Sequence, residues 1–239
     1  MVEPLLIDRR KIFEQVATHL EREILSGTLK PGDRLPPERD LQARFGVGRP
    51  AVREALITLQ RSGLIEIGNG APARVAIPTM QAVVSGMMPA VQQMLGNADG
   101  QRHLQGVRLF MEVGLVRHAA CHADKKEVAA LAAALKNNRA SIGDVAEFIR
   151  TDVAFHYCLA KMTRNPAFPA LHDAMSMWLL EQRRFALLEP GEDRRSYEAH
   201  ERIFIAVEER DADRAEAAMR SHLEEGWVAF WRRYGGAAE

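Results

Sequence analysis

Residues 35–67 read LPPERDLQARFGVGRPAVREALITLQRSGLIEI, and this stretch decides the fold of the N-terminal part of the chain. Pro37 and the acidic residues after it predict a short helix that ends by Phe45-Gly46, because proline fits a first turn and acids favour the positive end of a helix dipole. A second helix runs from Arg49 to about Ser62, with apolar residues along one face. Two helices joined by a tight turn predict a helix-turn-helix.

The flanking residues complete this module. Lys11 to Leu25 carry apolar residues at four-residue spacing, which predicts an amphipathic helix. After the helix-turn-helix, two short apolar runs surround Asn69-Gly70, a strong signal for a β-hairpin turn. Pro78 then closes the module. We therefore expect a winged helix-turn-helix domain over residues 1–78.

The remainder of the chain shows no convincing strand pattern. Helical windows alternate with loop signals at residues 97–100, 137–143, 164–166 and 189–191. We expect a linker helix region over residues 79–99, with one helix from Thr79 to Gly96, and an all-α antiparallel helical bundle over residues 100–239. The predicted fold class is mainly α.

Composition limits the classes of protein to consider. The chain has 239 residues, 47% hydrophobic and 27% charged, with a formal net charge of zero, which excludes a disordered chain. Cys121 and Cys158 are the only cysteines, so there is no disulfide framework and a reducing cytoplasm is expected. No signal peptide and no apolar stretch of about 18 residues is present. We expect a cytoplasmic protein without a membrane partner.

Two arginines stand where a helix-turn-helix reads DNA. Arg49 and Arg53 lie one turn apart near the N-terminus of the second helix, which enters the major groove in this motif. Arginine donates two hydrogen bonds to guanine, so the pair is suited to base readout. Arg39 is placed to contact a phosphate or another guanine, and Asn69-Gly70 lies where a wing tip enters the minor groove.

The alternative for these arginines is a solvated face that forms salt bridges within the protein. Glu38 and Glu54 are near enough in sequence to pair with Arg49 or Arg53. For one isolated arginine this alternative is the better one. The combination of several arginines in this topology favours double-stranded DNA as the partner.

A carboxylate and three imidazoles recur at helical positions in the second half of the chain. Asp152 and His156 are four residues apart and therefore share one face of a helix. His200 and His222 lie in two further amphipathic helices. Together the four fit a divalent metal with open positions for water or a small anion, although histidines in helices are more often surface or core residues.

A rival set of metal-ligating residues lies upstream. His118 and His122 are also four apart, with Cys121 beside them. We interpret this group as an ordinary helix face.

The quoted stretch resembles the DNA-binding domain of GntR-type bacterial transcription regulators, in which L-P-S-E-R-x-L, G-V-S-R-x-x-V-R-E-A-L and G-L-V recur. The resemblance places the DNA-contacting arginines of the family on Arg39, Arg49 and Arg53, and its wing glycine on Gly70. The chain departs from the pattern at three positions, where the family more often has Ser, Ser and Thr: Pro37, Gly48 and Pro50. The operator sequence therefore does not transfer from the family.

Residues 100–226 are similar to the all-helical ligand-binding (FCD) domain of the FadR subfamily. That subfamily has Asp-x-x-x-His, a histidine in E-x-H-x-x-I-x-x-A-I and a last histidine in A-x-x-x-H-L. The resemblance implies that Asp152, His156, His200 and His222 hold a metal. We expect zinc, while ligand chemistry also allows nickel or manganese.

Three stretches, at residues 69–78, 107–123 and 146–168, are similar to sialic-acid-responsive members of the subfamily, which implies a small carboxylate effector, N-acetylneuraminate first. Other members respond to lactate, gluconate, fatty acyl-CoA or dicarboxylates. The family layout places five residues at the effector pocket: Arg108, Glu112, Arg150, Asn165 and Arg183. An arginine fork suits a carboxylate. An ion pair between Arg108 and Glu112 within their helix is the alternative.

Three functions compete at this point. The first is a ligand-responsive transcription repressor, the second a metal-dependent hydrolase built on Asp152 and the three histidines, and the third a helical interaction module that has lost DNA binding. A hydrolase needs a general base, and the chain has no H-E-x-x-H motif. The readout arginines are present, which argues against the third. We expect a non-enzymatic regulator that binds a palindromic operator as a homodimer.

Overall fold

The computed structural model describes residues 11–68, 72–77 and 79–234, without the side chains of residues 81, 85, 233 and 234. Its contacts divide the chain into two compact units, Met1–Gly86 and Met87–Glu239. The domain boundaries expected from the sequence, at residues 78 and 99, stay predictions. Within the described ranges, no helix is both long enough and apolar enough to cross a membrane.

The N-terminal unit is a helix-turn-helix with a short hairpin. Its elements in chain order are α1 Ile12–Leu25, α2 Glu38–Phe45, α3 Arg49–Arg61, β1 Ile65–Glu66, β2 Arg74–Val75 and α4 Met80–Gly86. Helix α2 ends because Gly46 adopts a left-handed conformation with φ of 63°, which glycine tolerates without a steric penalty. Leu20, Leu41 and Val52, one from each of the first three helices, are completely buried in a shared core.

The hairpin orders the chain that follows α3. Strands β1 and β2 pair antiparallel, with Ile65 opposite Val75 and Glu66 opposite Arg74. Ile65 and Val75 are buried in the core of the unit, while Glu66 and Arg74 face outward. The hairpin turn at Asn69 and Gly70 lies outside the described residues, as does Pro78.

The C-terminal unit is all-α, as the sequence predicts. Its elements are α5 Met88–Leu95, α6 Ala98–His122, α7 Lys125–Ala140, α8 Val145–Lys161, α9 Ala167–Trp178, α10 Leu180–Ala186, α11 Glu192–Glu208 and α12 Ala212–Tyr234. The expected loops at 164–166 and 189–191 are confirmed. The mainly α fold class, with a helix-turn-helix followed by a helical bundle, is confirmed as well.

Three sequence predictions in this region are wrong. The expected helix from Thr79 to Gly96 is two helices that meet at Met87, because Pro89 lacks an N–H and its ring clashes with a continuing helix. Residues 97–100 are the start of α6 rather than a loop, since Asn97 caps it by accepting a hydrogen bond from Gly100 N at 2.8 Å. Helix α7 likewise extends to Ala140, through half of the loop expected at 137–143.

Gly100 has a specific structural role at this corner. A Cβ placed there would lie 2.0 Å from the carbonyl oxygen of Met94, so only glycine lets the backbone of α5 approach α6 this closely. The core of the unit lies between α6, α7, α8, α11 and α12, where Phe155, Ile203 and Met219 are completely buried. Polar side chains that point into this core must find hydrogen-bond or ionic partners there.

Candidate functional sites

Helix α3 of the N-terminal unit carries the predicted readout arginines on its exposed face. Its buried face is Val52, Ala55, Leu56 and Leu59, which packs in the core. Arg49 and Arg53 point the other way, with side chains about two-thirds exposed. Arg39, on α2, is exposed too. The structure therefore leaves all three guanidinium groups accessible, as a DNA-contacting surface requires.

Both α3 arginines form ion pairs with Glu38 of α2. Arg49 Nε donates to Glu38 Oε2 at 3.2 Å, and Arg53 Nε lies 4.0 Å from Oε1 of the same carboxylate. The salt bridges within the protein that were the alternative to DNA contact are thus formed, with Glu38 as the acceptor. Exposed ion pairs of this kind contribute about 0–1 kcal/mol, so a phosphate or guanine readily replaces the carboxylate. The ion pairs and DNA contact are therefore compatible.

The C-terminal unit brings the four predicted metal ligands together. One ligand atom from each of Asp152, His156, His200 and His222 lies within 4.8 Å of the others. The Nε2 atom of His222 is 3.2 Å from Nε2 of His156 and 3.2 Å from Nε2 of His200. Helices α8, α11 and α12 supply these side chains, and His156 and His200 are completely buried. The centre is therefore assembled from residues distant in sequence.

Neighbouring side chains fix the orientation of two of the rings. His156 Nδ1 is 3.1 Å from Glu112 Oε2, and His200 Nδ1 is 2.9 Å from Asn138 Oδ1. Because both partners are oxygen acceptors, the proton of each ring is held at Nδ1 and the lone pair of Nε2 points to the centre. Such contacts behind a ligand are typical of metal sites. Asn138 was not predicted from the sequence, because it lies in the segment interpreted as a loop.

The electrostatics of the centre favour neutral rings and an ionised carboxylate. Burial lowers the pKa of His156, His200 and His222 well below the ordinary value. Burial favours the neutral form of Asp152, but the positive charge of Arg183 and interactions with the histidines outweigh it and lower the pKa. Three imidazole lone pairs and one carboxylate thus converge in a buried space.

This arrangement fits a divalent cation. His222 Nε2 carries at most one proton, so it cannot donate to both neighbouring Nε2 atoms, and at least one close nitrogen pair has no hydrogen between its members. Asp152 Oδ2 is buried and makes no hydrogen bond with the described residues. A cation would satisfy all of these lone pairs at once. The four residues are therefore able to hold a metal ion.

A cavity adjoins this centre and shares two of its residues. Asp152 and His222 line it, together with the two arginines Arg108 and Arg183. Its volume is about 60 Å³. Small-molecule sites usually have volumes of roughly 300–1,000 Å³. A small-molecule ligand therefore has to widen this cavity in order to bind.

The cationic side of the cavity holds unused hydrogen-bond donors. Arg183 Nη1 is buried and has no hydrogen-bond partner among the described residues. Its Nε lies 2.7 Å from Asp152 Oδ2, yet the N–H does not point at that oxygen well enough for a hydrogen bond. Burial, and then repulsion from Arg183, lower the pKa of Arg108. Two crowded guanidinium groups favour an anionic ligand.

The structure separates the five residues expected at the effector pocket. Arg108 and Arg183 line the cavity, whereas Glu112 lies behind His156 and also pairs with Arg108, Nε to Oε1, at 3.7 Å. Arg150 does not line the cavity but is exposed and pairs with Glu147 on its own helix, so its effector role stays a prediction. The same holds for Asn165, which lies outside the cavity lining and whose side chain accepts a hydrogen bond from Ala167 N at 3.0 Å at the start of α9.

Sequence reasoning missed the far wall of the cavity. Gln182, Glu192, Ser196, Trp227 and Phe230 line it, and none of them belongs to a motif. Four-residue spacing connects some of them with the predicted metal ligands, through Glu192 and Ser196 before His200 on α11 and through Phe230 eight residues after His222 on α12. The rival His118 and His122 rings stack with centroids 4.4 Å apart on α6, away from the four-ligand centre.

Comparison with known proteins agrees with the two units. Residues 12–75 match the model of the gntR family of bacterial regulatory proteins, and residues 103–225 match the FCD domain. The chain is 40% identical to the HTH-type transcriptional repressor NanR of Klebsiella aerogenes over 229 residues, which cover 95% of this chain and 88% of that protein. The NanR of Salmonella newport is 41% identical over 217 residues, 90% of this chain and 84% of that protein.

Solved structures support the fold. Streptococcus agalactiae GntR matches with a TM-score of 0.52 at 23% identity, covering 89% of this chain and 97% of that one. E. coli McbR/YncC matches with a TM-score of 0.53 at 16% identity, covering 94% and 99%. The similar sequences are transcription regulators, so the hydrolase alternative has no support among them. The chain belongs to the GntR family of bacterial regulatory proteins, as a FadR-subfamily transcription regulator that combines a DNA-binding helix-turn-helix with an effector-binding FCD domain.

Proposed function

We propose that this regulator is a repressor that binds a palindromic operator as a homodimer in the bacterial cytoplasm and leaves it when a small carboxylate occupies the FCD domain. The observation that carries the proposal is the cavity beside the histidine centre, which shares Asp152 and His222 with it and adds two arginines. A ligand there touches the residues that organise the core of the domain. The site is therefore placed to control the arrangement of the bundle.

On the DNA side, we assign base contacts to Arg49 and Arg53 and a phosphate or base contact to Arg39. Their exposure and their position at the start of the recognition helix support this assignment. Asn69 and Gly70 are proposed as the wing tip, on the family resemblance alone. A single winged module buries too little surface for strong specific binding, so two modules on a symmetric operator are required.

In the FCD domain, Asp152, His156, His200 and His222 would hold the metal, and zinc is our first candidate. Imidazole and carboxylate ligands also suit nickel and manganese, and the availability of each metal in the cell then decides which one is bound. When bound, the metal supplies a Lewis-acid position for an oxygen of the effector. Glu112 and Asn138 act on the protein side, because they hold two of the rings in the orientation that a metal requires.

For the effector, the unpaired Arg183 donor and the neighbouring Arg108 support an anion that carries a carboxylate. N-acetylneuraminate is the leading candidate, because the chain resembles sialic-acid-responsive members of the subfamily. The cavity volume, about 60 Å³, is too small for a sugar acid. Such a ligand has to widen the cavity, so it favours one arrangement of the bundle over another.

The exposed face of α6 is our proposed dimer surface. Phe110 is 86% exposed and Val107 is 56% exposed. Gly106 and Gly114 stand four residues before and after Phe110, and among the described residues no atom outside the neighbouring backbone of the helix would contact a Cβ at either position. Glycine inside a helix destabilises it by about 1 kcal/mol relative to alanine. The close approach of another backbone would explain why glycine stands at both positions. Two copies crossing antiparallel at Phe110 would place Gly106 opposite Gly114 of the second copy.

A thermal-shift screen tests the effector assignment. The full chain is heated with N-acetylneuraminate, gluconate, lactate and succinate, each at a series of concentrations. We expect N-acetylneuraminate to raise the melting temperature as its concentration rises, because a ligand that binds only the folded state stabilises it. Stabilisation by succinate without stabilisation by N-acetylneuraminate would reject the sialic-acid assignment. No stabilisation by any of the four acids would reject a carboxylate effector.

A further inference from the structure

The cavity is elongated along helices α11 and α12, and the metal ligands occupy only one end of it. His200 of α11 and His222 of α12 meet at 3.2 Å between their Nε2 atoms. A loop of only three residues, 209–211, joins the two helices, which therefore run antiparallel. With increasing distance from this contact, residue numbers fall along α11 and rise along α12. Each step of four residues is about one helical turn.

Residues at each step line the same cavity. Ser196 and Gly226 lie one turn from the histidines, and Glu192 and Phe230 lie two turns away. Eight residues of an α-helix correspond to about 12 Å. The far end of the cavity is thus about 12 Å from the metal ligands, and it carries a carboxylate where the near end carries guanidinium groups.

Glu192 is unusually placed for an acidic residue. Its side chain is buried, with the residue 7% exposed, although it lies in the first turn of α11, where an acid at the surface would stabilise the helix equally well. It lines both the inner cavity and an outer groove, so it stands at the boundary between them. Arg195 contacts Oε2 through Nε at 2.9 Å and through Nη2 at 2.8 Å. Oε1 has no hydrogen bond to the described residues.

Among the described residues, the middle of the cavity also holds one buried polar atom without a hydrogen-bond partner. The indole Nε1 of Trp227 is buried and has no hydrogen-bond partner among the described residues. Trp227 is next to Gly226 and so lies at the level of Ser196. Hydroxyl groups both donate and accept, so they can pair with the buried Trp227 donor and with the Glu192 carboxylate at the same time. An alkyl chain would leave the Trp227 donor unpaired, at a cost in affinity.

We infer that Glu192, Ser196 and Trp227 form a hydroxyl-recognition subsite, and that the effector is a polyhydroxylated monocarboxylic acid whose carboxylate binds at the arginines and whose hydroxylated chain reaches Glu192. This inference rests on the proposed effector function. The subsite disfavours fatty acids, which have no hydroxyl groups. It disfavours dicarboxylates more strongly, because their second carboxylate would meet Glu192. Burial raises the pKa of Glu192, while the hydrogen bond from Arg195 opposes the rise.

Calorimetric titration of the full chain with matched six-carbon acids tests the subsite. Gluconate, hexanoate and adipate share the chain length and one carboxylate and differ in hydroxyl groups and at the far end, and N-acetylneuraminate is included as the candidate effector. We expect both hydroxylated acids to bind at least about tenfold more tightly than hexanoate, and adipate to bind most weakly. Equal affinity for gluconate, N-acetylneuraminate and hexanoate would overturn the inference.

Substitutions at Glu192 separate recognition from structure. Glu192→Gln is expected to weaken gluconate binding and to strengthen adipate binding, and Glu192→Ala to reduce the preference for gluconate over hexanoate to within about threefold. A merely structural role would change all ligands in the same direction, which would overturn the inference. Glu224→Gln is the control, because Glu224 lines only the outer groove. Loss of all binding in Arg183→Ala with no change in Glu192 variants would reject the subsite and leave the effector site standing. Absence of all binding in the unsubstituted chain would reject the proposed function itself.

Discussion

Arg183 Nε lies 2.7 Å from Asp152 Oδ2, and both side chains are more than nine-tenths buried. One contact therefore joins the cationic side of the cavity to the carboxylate of the histidine centre. A ligand carboxylate that binds Arg183 competes with Asp152 for the guanidinium. We therefore expect effector binding to be coupled to the position of Asp152. The coupling free energy is set by the difference in effector affinity between the arrangement in which Asp152 contacts Arg183 and the arrangement in which it does not.

The first prediction concerns the metal. Protein purified without added metal or chelator is expected to contain about one equivalent of a divalent metal, most of it zinc, because three neutral imidazoles and a carboxylate converge in a buried space. His200→Ala should remove it, and His118→Ala, which changes a histidine outside the centre, should not. Elemental analysis gives the answer. Less than a tenth of an equivalent in the unsubstituted chain would contradict the metal assignment.

The second prediction concerns base readout. Arg49→Ala or Arg53→Ala should each reduce operator affinity by about 1–3 kcal/mol and relax the preference at one position of each half-site. Arg61→Ala is a matched control, because it removes the same charge from the last turn of α3. Titrations across operator variants measure both effects. Uniform weakening on every DNA sequence would make these arginines phosphate contacts only.

The third prediction concerns the dimer surface. Phe110→Glu should convert the dimer to monomers at micromolar concentration, because it places a charge at the centre of the proposed interface. Val145→Glu, on α8, introduces the same charge at another exposed apolar position and should leave the dimer intact. Sedimentation velocity distinguishes the states. A monomeric unsubstituted chain, with and without operator, would refute the homodimer.

The fourth prediction concerns pH. Burial lowers the pKa of His172 to about 4, below the ordinary value of 6.5, so the unfolded chain binds more protons than the folded one between these values. The stability contributed by neutral His172 is complete above pH 6.5 and is lost as the pH falls to 4, by about 3 kcal/mol. His172→Gln lacks this contribution. Urea unfolding at several pH values should show the free-energy difference between the two proteins shrinking toward pH 4. A constant difference would be inconsistent with a buried neutral His172.

Local sequence patterns were sufficient for the helix-turn-helix and for the shared helix face of Asp152 and His156, whereas the metal role of the four residues came from the family resemblance. The apolar spacing around Val52 and the turn at Gly46 predict the helix-turn-helix, because a helix needs one apolar face and a left-handed end needs glycine. Asp152 and His156 share a face of α8 for the same reason. These features depend on residues within one or two turns of each other, so a single sequence contains them.

The rest of the site depends on how separate helices pack. Asn138 reaches His200 across 62 residues of sequence, and Glu112 reaches His156 across 44. The position of Asn138 or Glu112 in the sequence does not indicate which histidine it contacts. Arg150 and Asn165 do not line the cavity, because the direction of a side chain depends on the rotation of its helix and on local hydrogen bonds. Trp227 and Glu192 face the cavity only through the register of α11 against α12.

The central claim is that occupation of the FCD cavity controls DNA binding. The direct measurement is the affinity of the full chain for an operator selected from random-sequence DNA, by fluorescence anisotropy, with and without saturating N-acetylneuraminate. We predict at least a tenfold loss of affinity, equivalent to about 1.4 kcal/mol of coupling, and no loss in Arg183→Ala, which retains operator binding but not the cavity donor. An operator affinity that is unchanged by N-acetylneuraminate, gluconate, lactate and succinate alike would contradict the account.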